Sequence, residues 1–539
     1  EDKFGVYYVL VGSLGSQGRI EEAFDVGLQV LDLLGEKIGQ GPVPLFFNIM
    51  RLRSTLSRKT AGEEVSNSTE MTDTVKLLAV RLLRVLAVLA WMNDREQTLL
   101  HVQCRVVRLS LQYGASSESS FAFASLGTVL AAIGNVDAAF RVGQASLKLA
   151  ERFSPRRCDG LAVAVFHFAV HHWRRPYRES LEPLLLGYLS ALDEGDVDAA
   201  SYCSVAYCAL SYLAGVPLST LNMDARGIHR QMGEYNQDTS PVVLLLVPQF
   251  QMMLNLAGEN MDPCILTGEA MDEVAFCQEC ESLNHQRALR NVDLARMQVG
   301  YTFGNMDVAY KAAARFATKR VDLLKVGPHA LLGIRLFYTG MIMLEMYRNT
   351  SKKKRLREAR STMKQLSKFI KLGNDNWVPL LSILRAEMLS LTSTTTIVKQ
   401  AFMIAIDECD NEGFIHHQAL ANERLALFFL SHGDSSSACE FMGNATDLYI
   451  EWGARAKVDQ LKDKYTYLFY DHTAPVKRDS KRFDPELSFS EKVLRTSSRK
   501  IITEEVLRTS SRKLLADELL SSSLVAEELV RTSSRKLLT

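Results

Sequence analysis

Two cysteines and one histidine resemble a metal-binding pattern. Cys277 and Cys280 are separated by two residues, and His285 follows a short distance along the chain. Thiolates and imidazoles are the ligands that zinc prefers, and a structural zinc site takes four ligands, usually as two close pairs. Because the sequence has no second Cys-x-x-Cys pair, this trio is a weak zinc candidate. Two helical cysteines without a metal are the favoured interpretation.

Two pairs of adjacent histidines also offer nitrogen ligands, but their spacing does not suit a metal. The pairs are His171–His172 and His416–His417. Neighbouring side chains on a helix point in directions roughly 100° apart, so the two rings of a pair cannot converge on one ion. We therefore expect these histidines to be solvated, or buried with their hydrogen bonds satisfied.

A six-residue sequence, Arg-Thr-Ser-Ser-Arg-Lys, is repeated three times near the end of the chain. Each copy places an arginine two residues before a serine, a spacing that suits kinases with acidic substrate pockets. The candidate phosphosites are Ser497, Ser510 and Ser533. A phosphate would add about −1.5 to −2 charges beside fixed arginine and lysine. The alternative is an unmodified, low-complexity repeat expansion.

Catalytic motifs of other kinds are absent from the sequence. The glycine-rich stretch from Gly12 to Gly18 lacks the Lys-Ser/Thr ending of a phosphate-binding loop. There is no nucleophile elbow and no protein-kinase motif set, and the carboxylates are dispersed. We therefore predict no catalytic residue, no cofactor and no metal, and do not expect this chain to be an enzyme.

The composition is that of a globular protein with an ordinary core. Hydrophobic residues make up 47% of the 539 residues, charged residues make up 23%, and the formal net charge is +1. A nearly neutral chain argues against a nucleic-acid partner. Residues 77–92 are the most apolar long stretch, but Arg81 and Arg84 interrupt it, so we predict no membrane span.

The cysteine count and the first residue bear on location and completeness. An odd number of cysteines, 9, with no secretory signal favours the reducing cytoplasm. The chain begins with Glu1, already close to a helical pattern, so we expect it to be part of a larger protein.

One turn pattern recurs between amphipathic segments of the sequence. We therefore expect helices to position the candidate residues named above. A glycine followed by asparagine or aspartate separates the segments at Gly134-Asn135, Gly195-Asp196, Gly304-Asn305 and Gly433-Asp434. Glycine can end one helix in the left-handed conformation, and the polar residue can cap the next helix. A small residue follows about four positions later, at Ala138, Ala199, Ala309 and Ala438.

This pattern predicts an all-α fold, an irregular tetratricopeptide-like superhelix of helix pairs, or α-solenoid. We expect the array to cover residues 1–470, with an exposed loop at about 55–74. Residues 471–539 are predicted to be a low-complexity tail, disordered or transiently helical.

One stretch resembles a known family. Its final motif is Trp452-Gly453-Ala454, followed by Ala456, Lys457 and Leu461. This ending is similar to the last helices of the tetratricopeptide-like region of large multidomain signalling ATPases. Looser similarity continues through Asn374–Trp377 and Arg385–Glu387, and covers about residues 1–470.

The resemblance implies a parent protein with several further domains. In that family a Ser/Thr-kinase-like domain and an Orc1-like AAA ATPase domain precede the helical region, and a GAF–histidine kinase module or a cyclase often follows. The kinase and ATPase motifs are absent here, so no ATP site carries over to any residue of this chain. The repeated Arg-Thr-Ser-Ser-Arg-Lys tail stands where the histidine kinase would be.

Three hypotheses for the function remain open. The first is a non-catalytic scaffold or regulatory region that contacts protein partners or other domains of its parent. The second is an adaptor whose phosphorylated tail recruits partners. The third is a helical metal-binding enzyme built on Cys277, Cys280 and His285.

Overall fold

The computed structural model describes residues 2–469, except 18, 40, 94, 154–158, 236, 238–239 and 318–328. Within these residues the regular secondary structure is helical, apart from an isolated bridge between Glu70 and Ala115. The predicted all-α fold is therefore confirmed. The predicted tail, residues 471–539, lies outside the described residues.

The first half of the array consists of twelve helices within the described residues. They are α1 Asp2–Ser16, α2 Ile20–Leu33, α3 Pro42–Leu56, α4 Ala61–Ser66, α5 Thr74–Met92, α6 Glu96–Tyr113, α7 Ser119–Ala132, α8 Val136–Phe153, α9 Gly160–Ala169, α10 Leu181–Glu194, α11 Val197–Leu213 and α12 Leu218–Glu234. Successive helices pack mainly as antiparallel neighbours, because the turns between them are short.

The second half continues the same arrangement. Its helices in the described part of the chain are α13 Val247–Ala257, α14 Glu273–Ser282, α15 Gln286–Phe303, α16 Met306–Ala317, α17 Leu331–Thr350, α18 Lys353–Lys371, α19 Val378–Leu389, α20 Thr395–Glu412, α21 Ile415–Ser431, α22 Ser435–Trp452 and α23 Arg455–Lys464. Short 3₁₀ turns at His171–Trp173, Tyr177–Ser180 and Asp375–Trp377 interrupt the helix pairs.

The predicted glycine turns are confirmed. Gly134, Gly195, Gly304 and Gly433 all have positive φ values, between 75° and 85°. Asp196 then caps α11 by accepting a hydrogen bond from the amide of Ala199, at 3.0 Å. The alanines that follow these turns are buried, which lets the paired helices approach closely.

Residues 55–74, predicted to be an exposed loop, are instead partly folded into the array. The short helix α4 lies within them and packs against α8. Val65 and Met71 are buried, and Met71 donates its amide to the Ala115 carbonyl at 2.9 Å. Although this stretch is mostly polar, a few of its residues are apolar and are spaced so that they reach the core.

The second half of the array closes on itself. Neighbouring contacts run from α13 through α15, α17, α19, α21 and α22 to α23. The last helix, α23, then packs back against α13 and α15. We call this set of helices the ring.

Candidate functional site

The motif Trp452-Gly453-Ala454 lies where the ring meets the first half. Trp452 is buried, and its indole N–H donates to the carbonyl of Val216 at 3.2 Å. Its ring stacks on His416, with 5.1 Å between the ring centroids. Gly453 ends α22 with a φ of 92°, a conformation that favours glycine. The motif therefore connects the end of the array to the turn between α11 and α12.

Lys457 of the same motif makes a buried ion pair inside the ring. Only 3% of the residue is exposed, and its ammonium donates to Glu423 Oε1 at 2.7 Å and to the Thr302 carbonyl at 2.7 Å. The other oxygen of Glu423 accepts from the Tyr449 hydroxyl at 2.9 Å. Burial lowers the pKa of Lys457, and the charge of Glu423 opposes that effect. Lys457 thus connects α23 to α15 and α21.

A second charged group, which we call the ion cluster, consists of Glu345, Arg348, Glu387 and Arg424; Glu387 is buried and the other three are half-buried. It joins α17, α19 and α21. Arg424 Nε donates to Glu387 Oε1 at 2.6 Å, and Arg424 Nη2 donates to Glu345 Oε2 at 3.0 Å. Arg348 pairs with the same two carboxylates. Burial alone would raise the pKa of Glu387, but the charges of Arg424 and Arg348 lower it to about 2.

The four adjacent histidines are all buried, so none is solvated as one expectation allowed. His171 Nδ1 has a hydrogen-bond partner in the Ser180 hydroxyl, at 2.9 Å. The rings of His172, His416 and His417, however, have no hydrogen-bond partner within the described residues. The expectation of satisfied hydrogen bonds was therefore wrong for these three. Aromatic neighbours surround their rings instead, as Phe337 does for His417 at 5.3 Å.

These buried imidazoles stay neutral at pH values well below the ordinary pKa of histidine. Burial lowers the pKa of His417 to about 3. Burial, with the charge of Arg175 as a smaller cause, lowers the pKa of His171 to about 4. Burial and the neighbouring His417 place the pKa of His416 well below its usual value.

Lowering the pH from 7 to 4.5 is therefore expected to destabilise the protein. The unfolded chain binds protons at these histidines near pH 6.5, whereas the folded chain does so only near pH 3 to 4. Between those values the unfolded state holds more protons, so the free energy of unfolding decreases as the pH falls. Each ring contributes up to about 1.4 kcal/mol per pH unit in this window. Urea unfolding at a series of pH values measures the slope.

The variant His417→Phe keeps a ring against Phe337 and removes one titrating group, so it should flatten the slope. The variant His432→Gln, at an exposed position, is the matched control and should leave the slope unchanged. A free energy of unfolding that stays constant from pH 7 to 4.5 would contradict the prediction.

A third contact region, which we call the joint, connects the two halves across the 3₁₀ turns. The Asn376 side chain donates to the carbonyls of His172 and Arg175, at 2.8 and 3.0 Å, and accepts from the Tyr177 amide at 3.2 Å. Trp377 donates its indole N–H to the Tyr177 hydroxyl at 2.8 Å. The side chain of one short turn therefore supplies hydrogen-bond partners for backbone groups about two hundred residues earlier in the chain.

A cavity of about 290 Å³ lies between the two halves. The helices α5, α6, α7, α9 and α11 form one side, and α13, α15, α16 and α17 form the other. Apolar and aromatic side chains supply most of the lining, including Trp91, Phe121 and Tyr202. Arg290 and Arg335 also line it. We call this space the central cavity.

The structure does not bring the zinc candidates together. Cys277 and Cys280 lie on α14, where Cys277 Sγ accepts from Arg296 Nη2 at 3.7 Å. His285 precedes α15, and its Nε2 bonds to the Pro241 carbonyl at 2.7 Å. Across the described part of the chain, no three or more His, Cys, Asp or Glu side chains form a group that could hold a metal ion.

Ser497, Ser510 and Ser533 lie outside the described residues, so their phosphorylation remains a prediction. Among the helices that are described, none is both long enough and apolar enough to cross a membrane.

Sequence reasoning missed the ion cluster and the central cavity, although each left a signal. Arg335 interrupts an otherwise apolar helix segment, and the adjacent Glu423 and Arg424 lie between apolar runs on α21, which is unusual unless such charges have a partner or a ligand. The sequence does not show which residue faces them, because their neighbours come from distant helices.

No family model matches the sequence. A curated relative, hybrid signal transduction histidine kinase G of Dictyostelium discoideum, is 26% identical over 165 residues, which are 30% of this chain and 5% of that protein. This chain therefore spans a small part of the relative's length.

Among solved structures, a circular tandem repeat protein with novel repeat topology and enhanced subunit contact surfaces is similar over 86% of this chain and 94% of its own. The identity is 12% and the TM-score is 0.14, a value too low to establish a shared fold. The helical-repeat architecture described above therefore rests on the contacts of this chain itself.

Proposed function

We propose that this chain is a non-catalytic scaffold within a multidomain signalling protein of the AAA-ATPase and protein-kinase type. It would regulate by contacting protein partners or other domains of the same parent. An apolar face on α3 carries this proposal. Val43, Phe46 and Phe47 are spaced to share one side of that helix and are 63%, 58% and 66% exposed.

The largest contiguous apolar patch on a protein surface is often a binding surface. The two phenylalanine rings contact each other edge to face, with 5.9 Å between centroids, which presents one compact aromatic surface. Aromatic residues of this kind dominate the binding energy of protein interfaces. A neighbouring domain of the parent is the occupant that the scaffold role requires.

The signalling context is supported by the partial similarity to a hybrid histidine kinase and by the family-like ending at Trp452–Lys457. The cysteines of the described residues are free thiols, which suits the proposed location in the reducing cytoplasm. The joint and the closed ring support a mechanical role, because the joint connects the first half to the second half and the ring holds the helices of the second half together.

The double variant Phe46→Glu/Phe47→Glu, made in the parent protein, tests the proposal. We expect the ratio of stimulated to unstimulated ATP turnover to change about fivefold or more, the low end of typical allosteric coupling. Charges on this face would repel a docked apolar surface without disturbing the core, because both rings are largely exposed.

Ile404→Glu/Ile450→Glu is the matched control, since these side chains are also exposed, at 57% and 54%, and lie on other helices. It should leave the ratio unchanged. If removing residues 1–469 from the parent leaves the regulation intact, the scaffold role is excluded.

A further inference from the structure

Two arginines bring positive charge to the central cavity. Arg290 and Arg335 both line it, and neither forms an ion pair with a carboxylate in the described part of the chain. Arg335 instead stacks its guanidinium over the Phe316 ring, 5.1 Å from the centroid. Arg287 lies on the same side but is engaged, since it donates to the Trp91 carbonyl and covers the Trp91 ring at 4.6 Å.

Burial and mutual repulsion both act on the charged groups of this wall. Burial and the charge of Arg290 lower the pKa of Arg335 to about 10, so Arg335 is still charged at neutral pH. Burial, with the nearby arginines, lowers the pKa of His329 to about 3, so this imidazole is neutral. Two cations thus line this space, which the carboxylate of Glu96 also borders, and neither cation is paired with a carboxylate within the described residues. An anion placed between them would relieve their repulsion.

Most of the remaining wall is apolar, although Glu96, Gln103, Gln249 and Asn291 also belong to it, so the wall favours a ligand with an apolar body. Val88, Leu99, Val165 and Val205 line the cavity together with Phe168. Its volume of about 290 Å³ corresponds to roughly ten water molecules at liquid density, and so to a ligand of about ten non-hydrogen atoms. This volume is near the lower end of the range for small-molecule pockets.

We propose that the central cavity binds a medium-chain carboxylate, with the charged head between Arg290 and Arg335 and the hydrocarbon chain along the apolar wall. The planar guanidinium group matches the geometry of a carboxylate and can bond it with two N–H groups. The cavity lies between the two halves, so an occupant would contact both. This inference goes beyond the scaffold role and does not depend on it.

Calorimetric titration of the full chain with octanoate, a ten-atom carboxylate, tests the proposal at pH 7. We expect saturable binding of one octanoate per chain, about tenfold or more tighter than 1-octanol, which has the same chain without the charge. In the variant Arg335→Gln, octanoate should bind about 10- to 100-fold more weakly, because a charged hydrogen-bond donor is lost. The affinity for octanol should change little.

Arg357→Gln is the matched control, because Arg357 is exposed on α18 and is not among the residues that line the cavity. It should bind octanoate as the unmodified chain does. Arg290→Gln removes the second charge and replaces Arg335→Gln if circular dichroism shows that the latter is unfolded.

Three results would overturn the proposal. Equal affinity for octanoate and octanol would show that the arginines do not select an anion. The absence of saturable octanoate binding to the unmodified chain would exclude the site itself. Tighter binding of octyl phosphate than of octanoate would exclude the carboxylate as the preferred head group.

Discussion

Replacing Arg424 with methionine is expected to destabilise the protein by about 3–5 kcal/mol. Arg424 donates to both Glu345 and Glu387, at 3.0 and 2.6 Å, in the interior of the ring. Methionine fills a similar volume but leaves Glu387, which is 1% exposed, with too little compensating charge. Urea unfolding followed by circular dichroism measures the loss.

Two further variants show whether the ion cluster causes that loss. The double variant Arg424→Met/Glu387→Met removes one charge of each sign and leaves Arg348 paired with Glu345 at 3.0 Å. It should be less destabilised than the sum of the two single variants, with a coupling of about 0.5–3 kcal/mol. Additive single effects would contradict a direct interaction.

The control for the same change on the surface is Arg226→Met. Arg226 pairs with Glu259 and Glu269 but is partly solvated, with its side chain 34% exposed. Exposed ion pairs contribute about 0–1 kcal/mol, so this variant should unfold almost as the unmodified chain does. If both variants lost a comparable free energy of unfolding, the position of the charge inside the ring would not explain the loss in Arg424→Met.

The second large effect is expected for Trp377→Ala, at about 3–5 kcal/mol. Trp377 is fully buried in the joint, where its ring contacts Trp173 and Phe369 at 5.7 and 5.6 Å. Gly333 lies directly against the indole, and a Cβ at that position would be 2.3 Å from Trp377 Nε1. The truncation therefore leaves a cavity that the neighbouring backbone cannot easily fill.

Trp377→Phe separates packing from hydrogen bonding. It retains an aromatic ring but leaves the Tyr177 hydroxyl without the indole N–H that donates to it at 2.8 Å. We expect a smaller loss than for alanine, and limited proteolysis near residues 173–177 should increase in both variants. An alanine variant that unfolds within 1 kcal/mol or so of the unmodified chain would exclude the joint as a major contributor.

The helix pairs could be predicted from the sequence because their determinants are local. The glycine before Asp196 or Asp434 ends one helix, the aspartate caps the next, and the alanine that follows permits close packing. Each of these signals lies within about six residues of the turn it specifies. The same locality explains the error at 55–74, where Val65 reaches a core formed by distant helices.

The closure of the ring and the interior sites could not be predicted in this way. Lys457 is part of the family-like ending, but nothing in the sequence shows that it faces Glu423, which lies 34 residues earlier in the chain. The partners of Asn376 in the joint come from the other half of the chain. A single sequence reports periodicity along a helix, whereas these contacts depend on how the whole array curves.

The joint also has a consequence for biosynthesis. Asn376 and His172 are 204 residues apart, and at about 5–20 residues per second a ribosome needs roughly 10–40 s to supply the second residue after the first. Helix pairs can form during that interval, but the 3₁₀ turns of the first half must wait with their carbonyls unpaired. These carbonyls therefore remain hydrated in the nascent chain until the turn at Asp375–Trp377 has been made, and the ring can close only after α23 has followed it.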